Sequence, residues 1–261
     1  MTTEYGGSGD PARSMALLWG SRDRPARGGR SGLSVDRIVG AAIEIADADG
    51  LAALSMRRVA ERLGVGTMSL YTHVPGKAEL IDVMLDRVYG ETARPDDLAD
   101  DLAGGWRARL EQAARENWAL FHRHPWMLQV AASRPSIGPN AIAKYDYELR
   151  VVADIGLTDV EMDSVLMLVG GYVEGAARRA MDAAQAEKRT GMTDDQWWSA
   201  HAPLLSTVLD PARYPVAARV GSAAGEAHGT AYHPQHAFEF GLERVLDGIE
   251  AFVAARPRRK T

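Results

Sequence analysis

Apolar residues recur at three- and four-residue spacing along nearly the whole chain, the period of amphipathic helices and not of strands. Ser34 precedes a run in which Ile38, Ala41, Ala42 and Ile45 share one face, and the pattern stops at Asp49-Gly50. Serine is a preferred N-cap because its hydroxyl accepts from an otherwise unpaired N–H of the first turn. Ser55 repeats that signal ahead of Met56, Val59, Ala60 and Leu63, and Gly64 predicts the stop, since glycine takes left-handed backbone without a Cβ clash. A short helix over 67–74 turns Leu70 and Val74 inward, and Pro75-Gly76 ends it. From Lys77 to Glu91 the inward set is Leu80, Ile81, Met84, Leu85 and Val88, a helix leading away from the first three.

Beyond Pro95 the helical period persists. Residues 98–123 carry Leu102, Trp106, Leu110, Ala113, Asn117 and Leu120 or Phe121 on one face, and Pro125 breaks them. A short helix over 126–132, the loop RPSIGPN at 134–140 and a helix to Ile155 follow. Gly156-Leu157-Thr158-Asp159 reads as stop, cap and restart, opening a long helix over 159–187. Gly170 and Gly171 inside it cost about 1 kcal/mol each relative to alanine, which predicts close packing or a kink there. A looser segment, 188–235, is expected to hold Trp197-Trp198, one short helix and a Gly/Ala/His-rich loop, and a last amphipathic helix over 234–255 carries Phe238, Leu242, Val245, Leu246, Ile249 and Phe252. No β pattern or repeat appears. The predicted fold is all-α, with a small three-helix domain at 33–80 and a larger helical domain at 81–261. Residues 1–32, rich in Gly, Ser, Pro and Arg, with Arg22, Arg24, Arg27 and Arg30 against Asp23, read as a flexible basic arm.

The chemistry of 55–77 separates this segment from ordinary helical packing. Two short helices joined by a glycine turn form a helix-turn-helix, whose second helix enters the major groove of DNA. Its outward residues are Thr67, Met68, Ser69, Tyr71, Thr72 and His73. Hydroxyls donate to or accept from base edges, and Met68 can touch a thymine methyl. Arg57, Arg58, Arg62 and Lys77 meet only Glu61, although the chain as a whole has 30 Lys+Arg against 35 Asp+Glu and a net charge of −5. A small basic head on an acidic body favours local attraction to phosphate over nonspecific coating of nucleic acid.

Composition narrows the remaining classes. The chain's 261 residues, 46% of them hydrophobic, are ample for one small and one large domain. Zero cysteines exclude a disulfide framework, a thiolate zinc site and a cysteine nucleophile. No apolar run of about 18 residues and no leader pattern occur, so a cytoplasmic protein away from membranes is expected. Catalytic motifs are missing: no nucleophile elbow, phosphate-binding glycine loop, dinucleotide fingerprint or His-Glu-x-x-His. Seven histidines are too scattered for a metal site, since His122 and His124 point to different helix faces and His233 and His236 lack a third ligand. For a flat effector, polarizable and aromatic side chains of the larger domain are candidates: Trp126, Met127, Tyr145, Met167 and Tyr172, with Gln112, Asn117 and Glu148 as polar anchors.

From Leu33 to Tyr89 the chain resembles the DNA-binding domain of the tetracycline-repressor (TetR) family, including Leu70-Tyr71-Thr72-His73-Val74 and Lys77 of its signature. His124-Pro125-Trp126, Gly138-Pro139-Asn140 and the 170–175 run GGYVEG resemble the effector-binding half of its tetracycline-repressor branch. The resemblance implies a repressor with a three-helix helix-turn-helix DNA-binding domain at 33–80 and a helical ligand-binding and dimerisation domain at 81–261, which binds palindromic operator DNA as a homodimer and is released by a small hydrophobic, polycyclic effector such as an antibiotic or natural product. An activator or an effector-independent regulator is the alternative within DNA binding, and a sequestering protein with a vestigial helix-turn-helix is the alternative outside it. Tyr71, His73 and Lys77 match backbone-contacting positions, Glu148 matches a polar ligand residue, and helix 77–91 carries the effector's push to the DNA. The implied dimer is a four-helix bundle of helix 159–187 and the final helix, expected here through Phe238, Leu242, Leu246 and Ile249. Val130 and Ala93 stand where the tetracycline repressors place chelating histidines, so neither metal nor cofactor is expected.

Overall fold

The computed structural model describes residues 4–5, 10–20, 32–92, 105–131, 136–228 and 233–256. The head consists of α2 (Val35–Asp49), α3 (Met56–Leu63) and α4 (Thr67–Tyr71). Its boundaries follow the local signals. The Ser34 and Ser55 side chains accept from the Arg37 and Arg58 N–H groups, and Gly64 closes α3 with φ 68°. The second helix of the motif stops at Tyr71 and not at Val74, yet Leu70 and Val74 are both fully buried, as their spacing required. From the head, α5 (Lys77–Tyr89) runs into a body made of α6 (Gly105–Arg123), α7 (Pro139–Val151), α8 (Asp159–Thr190) and α11 (Pro234–Ala254). Where one short helix and a loop were expected, two helices form, α9 (Asp194–Val208) and α10 (Pro215–His228), both with largely exposed surfaces.

Two apolar clusters hold this arrangement. One joins Ile38, Val59, Leu70, Leu80 and Met84 of the head and α5 to Leu120, Trp126, Met127 and Val130 of the body. The other packs Leu110, Val165, Val169 and Val173 against Phe238, Leu242, Leu246 and Ile249. Burying each of these large side chains stabilises the fold by about 1.5–3 kcal/mol, so the clusters fix how α8 and α11 lie against α6.

Several expectations need correction. Part of the presumed arm is structured: α1 (Pro11–Gly20) is helical, with Ser14 and Leu18 buried, whereas the basic stretch 21–31 lies outside the described residues. In place of a helix over 126–132, Pro125–Gln129 form a 3-10 turn followed by a two-residue strand, Val130–Ala131. That strand pairs in parallel with Glu4–Tyr5, a minimal β ladder where none was expected. Gly170 and Gly171 neither interrupt α8 nor meet any atom within 4 Å of a Cβ position, so intrachain packing does not explain them. Phe238, Leu242, Leu246 and Ile249, expected between protomers, are consumed by the chain's own core, at 0–3% exposure.

Candidate nucleic-acid interface

The buried Leu70 and Val74 anchor α4 on the head core and thereby point its other faces outward. Met68 is 77% exposed and Tyr71 44%. Ser69 and Thr72 are exposed, while Thr67, His73 and Lys77 are half-buried. The Thr72 hydroxyl donates to the Ser69 carbonyl at 2.7 Å, which leaves it an acceptor toward DNA. The basic flank is more compensated than composition implied. Arg57 donates to Glu61 at 2.8 Å, Arg58 faces Asp49, and Arg62 lies 2.7 Å from Glu44. The hydrogen bond and charge of Glu61 push the Arg57 guanidinium upward. These pairs are solvent-exposed, hence weak and screened, and a phosphate can replace the carboxylate.

Behind the reading face, a polar junction ties head to body. His124, 4% exposed, places Nδ1 2.8 Å from Asp47 Oδ1 on α2 and Nε2 3.2 Å from Glu91 Oε2 beyond the end of α5. Trp126 Nε1 donates to the same Asp47 oxygen at 2.8 Å, and Arg123 donates to Glu91 at 2.7 Å. Burial alone would raise the Glu91 carboxyl, but hydrogen bonds from Arg123 and His124 and their positive charge leave it below its usual range. Asp86 of α5, also buried, accepts the Asn140 and Ala141 N–H groups at 3.0 and 2.9 Å, capping the first turn of α7. Thus α5 is hydrogen-bonded to α7 of the body.

The candidate effector residues separate into distinct places. Asn117 and Glu148 are brought together, with Nδ2 donating to Oε1 at 2.8 Å, and Lys144 also pairs with Glu148. The Lys144 ammonium lies 5.9 Å from the centre of the Tyr89 ring, near the end of α5. Burial pushes the Tyr89 hydroxyl up, and the nearby negative charges of Glu174, Glu148 and Asp86 add to it. Lys144 and Tyr89 escaped the sequence reading; the i,i+4 relation of Lys144 to Glu148 was its only local signal. Trp126 and Met127 belong to the cluster shared with the head. Tyr145 and Met167 are exposed at 42% and 69%, and the Tyr145 hydroxyl donates to Asp163. Gln112 is exposed and donates to Glu116. Tyr172 donates to the Ala237 and Phe238 carbonyls, bracing α8 against α11. Val130 packs in the head–body cluster, and Ala93 lies outside the described residues.

A helix-turn-helix presenting polar and apolar side chains outward from a buried anchor, hydrogen-bonded through one helix to a larger helical body, defines a DNA-binding transcriptional regulator. The family described as bacterial regulatory proteins, tetR family, matches residues 38–84, and the tetracyclin repressor-like C-terminal domain matches 98–253. The chain belongs to the TetR family and is a transcriptional repressor of that family, not an enzyme. The HTH-type transcriptional repressor DrrR1 of Streptomyces coeruleorubidus is 51% identical over 98% of this chain and 91% of its own length. The class C tetracycline repressor of Escherichia coli is 28% identical over 84% of this chain and 91% of its own. Among solved structures, ActR of Streptomyces coelicolor in complex with actinorhodin superposes with a TM-score of 0.68 at 27% identity, covering 84% of this chain and 96% of that one.

Proposed function

We propose that this repressor binds a palindromic operator as a homodimer in the cytoplasm and is released when a small polycyclic molecule enters its body. The observation that carries the reading is the apolar cluster shared by head and body, together with the His124 hydrogen bonds to Asp47 and Glu91 and the Asp86 hydrogen bonds to α7. A body that repacks around a ligand cannot leave α5 where it was, because packed interfaces shift between discrete arrangements and do not deform continuously. Thr67, Met68, Ser69 and Thr72 are proposed to face base edges, Arg57 a base or groove edge, and Tyr71, His73 and Lys77 the backbone.

Asn117 and Glu148, with Lys144 and Tyr89 beside them, are proposed as the polar end of the effector site. Val130 stands where the tetracycline repressors place a chelating histidine and offers no metal ligand, so a metal-free mode is proposed. Because operator and effector states are linked, a ligand acts only through its differential affinity for them. A preference of about 100-fold corresponds to about 2.7 kcal/mol of coupling. The test uses actinorhodin, which the neighbouring structure binds. Calorimetry with and without a chelator is paired with a gel shift on a duplex that the protein selects from a random pool. Chelator-insensitive binding with duplex release is expected; a magnesium requirement overturns the pocket reading, and binding without release overturns induction.

A further inference from the structure

Helix α1 lies outside both matched family segments, 38–84 and 98–253, and its contacts connect elements whose relative movement the proposed release from DNA requires. It docks along α5, the helix between head and body. At its start, the Asp10 side chain accepts the Arg13 N–H at 3.0 Å, while the Asp10 N–H donates to Glu79 at 3.2 Å. One turn on, the Ser14 hydroxyl donates to Asp82 at 3.1 Å in a buried contact. Leu18 is buried a turn further along, and the Trp19 indole N–H donates to the Ile137 carbonyl at 3.0 Å, in the loop leading into α7. Upstream, Glu4–Tyr5 pair with Val130–Ala131 of the body. Glu79, Asp82 and Asp86 form the buried acidic edge of α5, so α1 and the first turn of α7 are held by neighbouring positions of one helix.

We propose that residues 10–20 are a strap that fixes α5 against the body and so sets the position of the reading head. The buried carboxylates carry the argument. Acidic side chains this far from water are retained where they are hydrogen-bonded, and two of the three accept from residues 10–20, Glu79 from the Asp10 N–H and Asp82 from the Ser14 hydroxyl. Any swing of α5 relative to the loop at 137 must break the Ser14 or the Trp19 bond, because α1 holds one at each end. The strap therefore narrows the range of head positions in the DNA-free protein. A head that reaches the DNA-competent position only a tenth of the time loses about tenfold in apparent affinity.

The full chain contains no cysteine, so spin labels can be placed directly at Ala52→Cys in the head and Ala251→Cys in the body, both exposed positions. Labelled protein, diluted into unlabelled protein so that only distances within one chain are read, is compared with the same pair lacking residues 1–20. A second comparison carries Ser14→Ala with Trp19→Phe, which removes two hydrogen bonds and leaves Leu18 packed. The expected result is a broadened head–body distance distribution and an affinity for the selected duplex lower by about threefold to tenfold. If truncation prevents folding, the double substitution decides. A distribution as narrow as in the parent protein overturns the strap, and a broadened one with unchanged duplex affinity overturns its role in DNA binding. No effector enters the measurement, so its outcome is independent of whether actinorhodin induces release.

Discussion

At the scale of single residues, phosphate attraction and base reading separate into testable roles. Lys77 begins α5 beside the reading helix, and its loss is expected to lower affinity for every sequence and to reduce the salt slope by about one. Arg57, 83% exposed and held by Glu61, has to exchange that carboxylate for DNA. Arg57→Ala is therefore expected to weaken binding with a change of sequence preference, read from selected duplex pools. A Lys77→Ala protein with unaltered affinity and salt slope sinks the docking geometry. A second residue-scale expectation concerns Glu91. Its carboxyl lies below its ordinary range when folded, so its contribution is present above about pH 4.3 and is lost as pH falls through the lowered value. Urea midpoints measured from pH 6 downward should fall more steeply for the parent protein than for Glu91→Gln; parallel acid limbs count against the junction with Arg123 and His124.

At the scale of elements, the pairing of α8 with α11 depends on a close approach that composition does not reveal. A Cβ built on Gly241 would lie 2.7 Å from Cζ and 2.8 Å from Cε2 of Tyr172, whose hydroxyl holds two carbonyls of α11. Gly241→Ala is expected to displace that ring and destabilise the body by about 1–3 kcal/mol. The size is read from chemical unfolding, and an unchanged midpoint would show that the ring moves aside without cost. Helix α1 was missed for a related reason. Averaging over 32 residues rich in Gly, Arg, Ser and Pro hid the short apolar run Met15, Leu17, Leu18 and Trp19, which suffices for ten helical residues once α5 supplies a surface.

For the whole molecule, the proposed homodimer has to use apolar surface that the core leaves outside. Val160, Met167 and Leu168 of α8 are exposed at 76, 69 and 54%, and Phe252 of α11 at 46%. Ser164, Leu168, Val245, Gly248 and Phe252 line one apolar groove between these helices, rimmed by the Glu161–Arg256 pair. Leu168→Asp with Phe252→Asp is expected to leave the fold intact while sedimentation shows monomer and the gel shift is lost, since the two charges would be buried unpaired between protomers. Leu242→Asp should instead unfold the chain, because Leu242 is wholly inside it. A folded dimer in the first case moves the interface elsewhere.

The helical class, the head and its punctuation were legible because they depend on neighbours within a few positions: Ser34 and Ser55 cap, Gly64 turns, and Leu70 and Val74 anchor a helix whose other residues then face outward. The sequence by itself also determined the acidic body, the basic cluster of the motif and the resemblance that the family matches bear out. Tertiary structure alone decided which side of α11 faces inward. Apolar residues occupy more than one of its faces, so period predicts a buried stripe without saying whether the same chain or a partner buries it. It alone also brought His124 to Asp47, 77 positions away, and Asp10 to Glu79, 69 positions away. Polar pairs of that separation leave no periodic trace, because their geometry exists only after the apolar clusters have packed the helices that carry them.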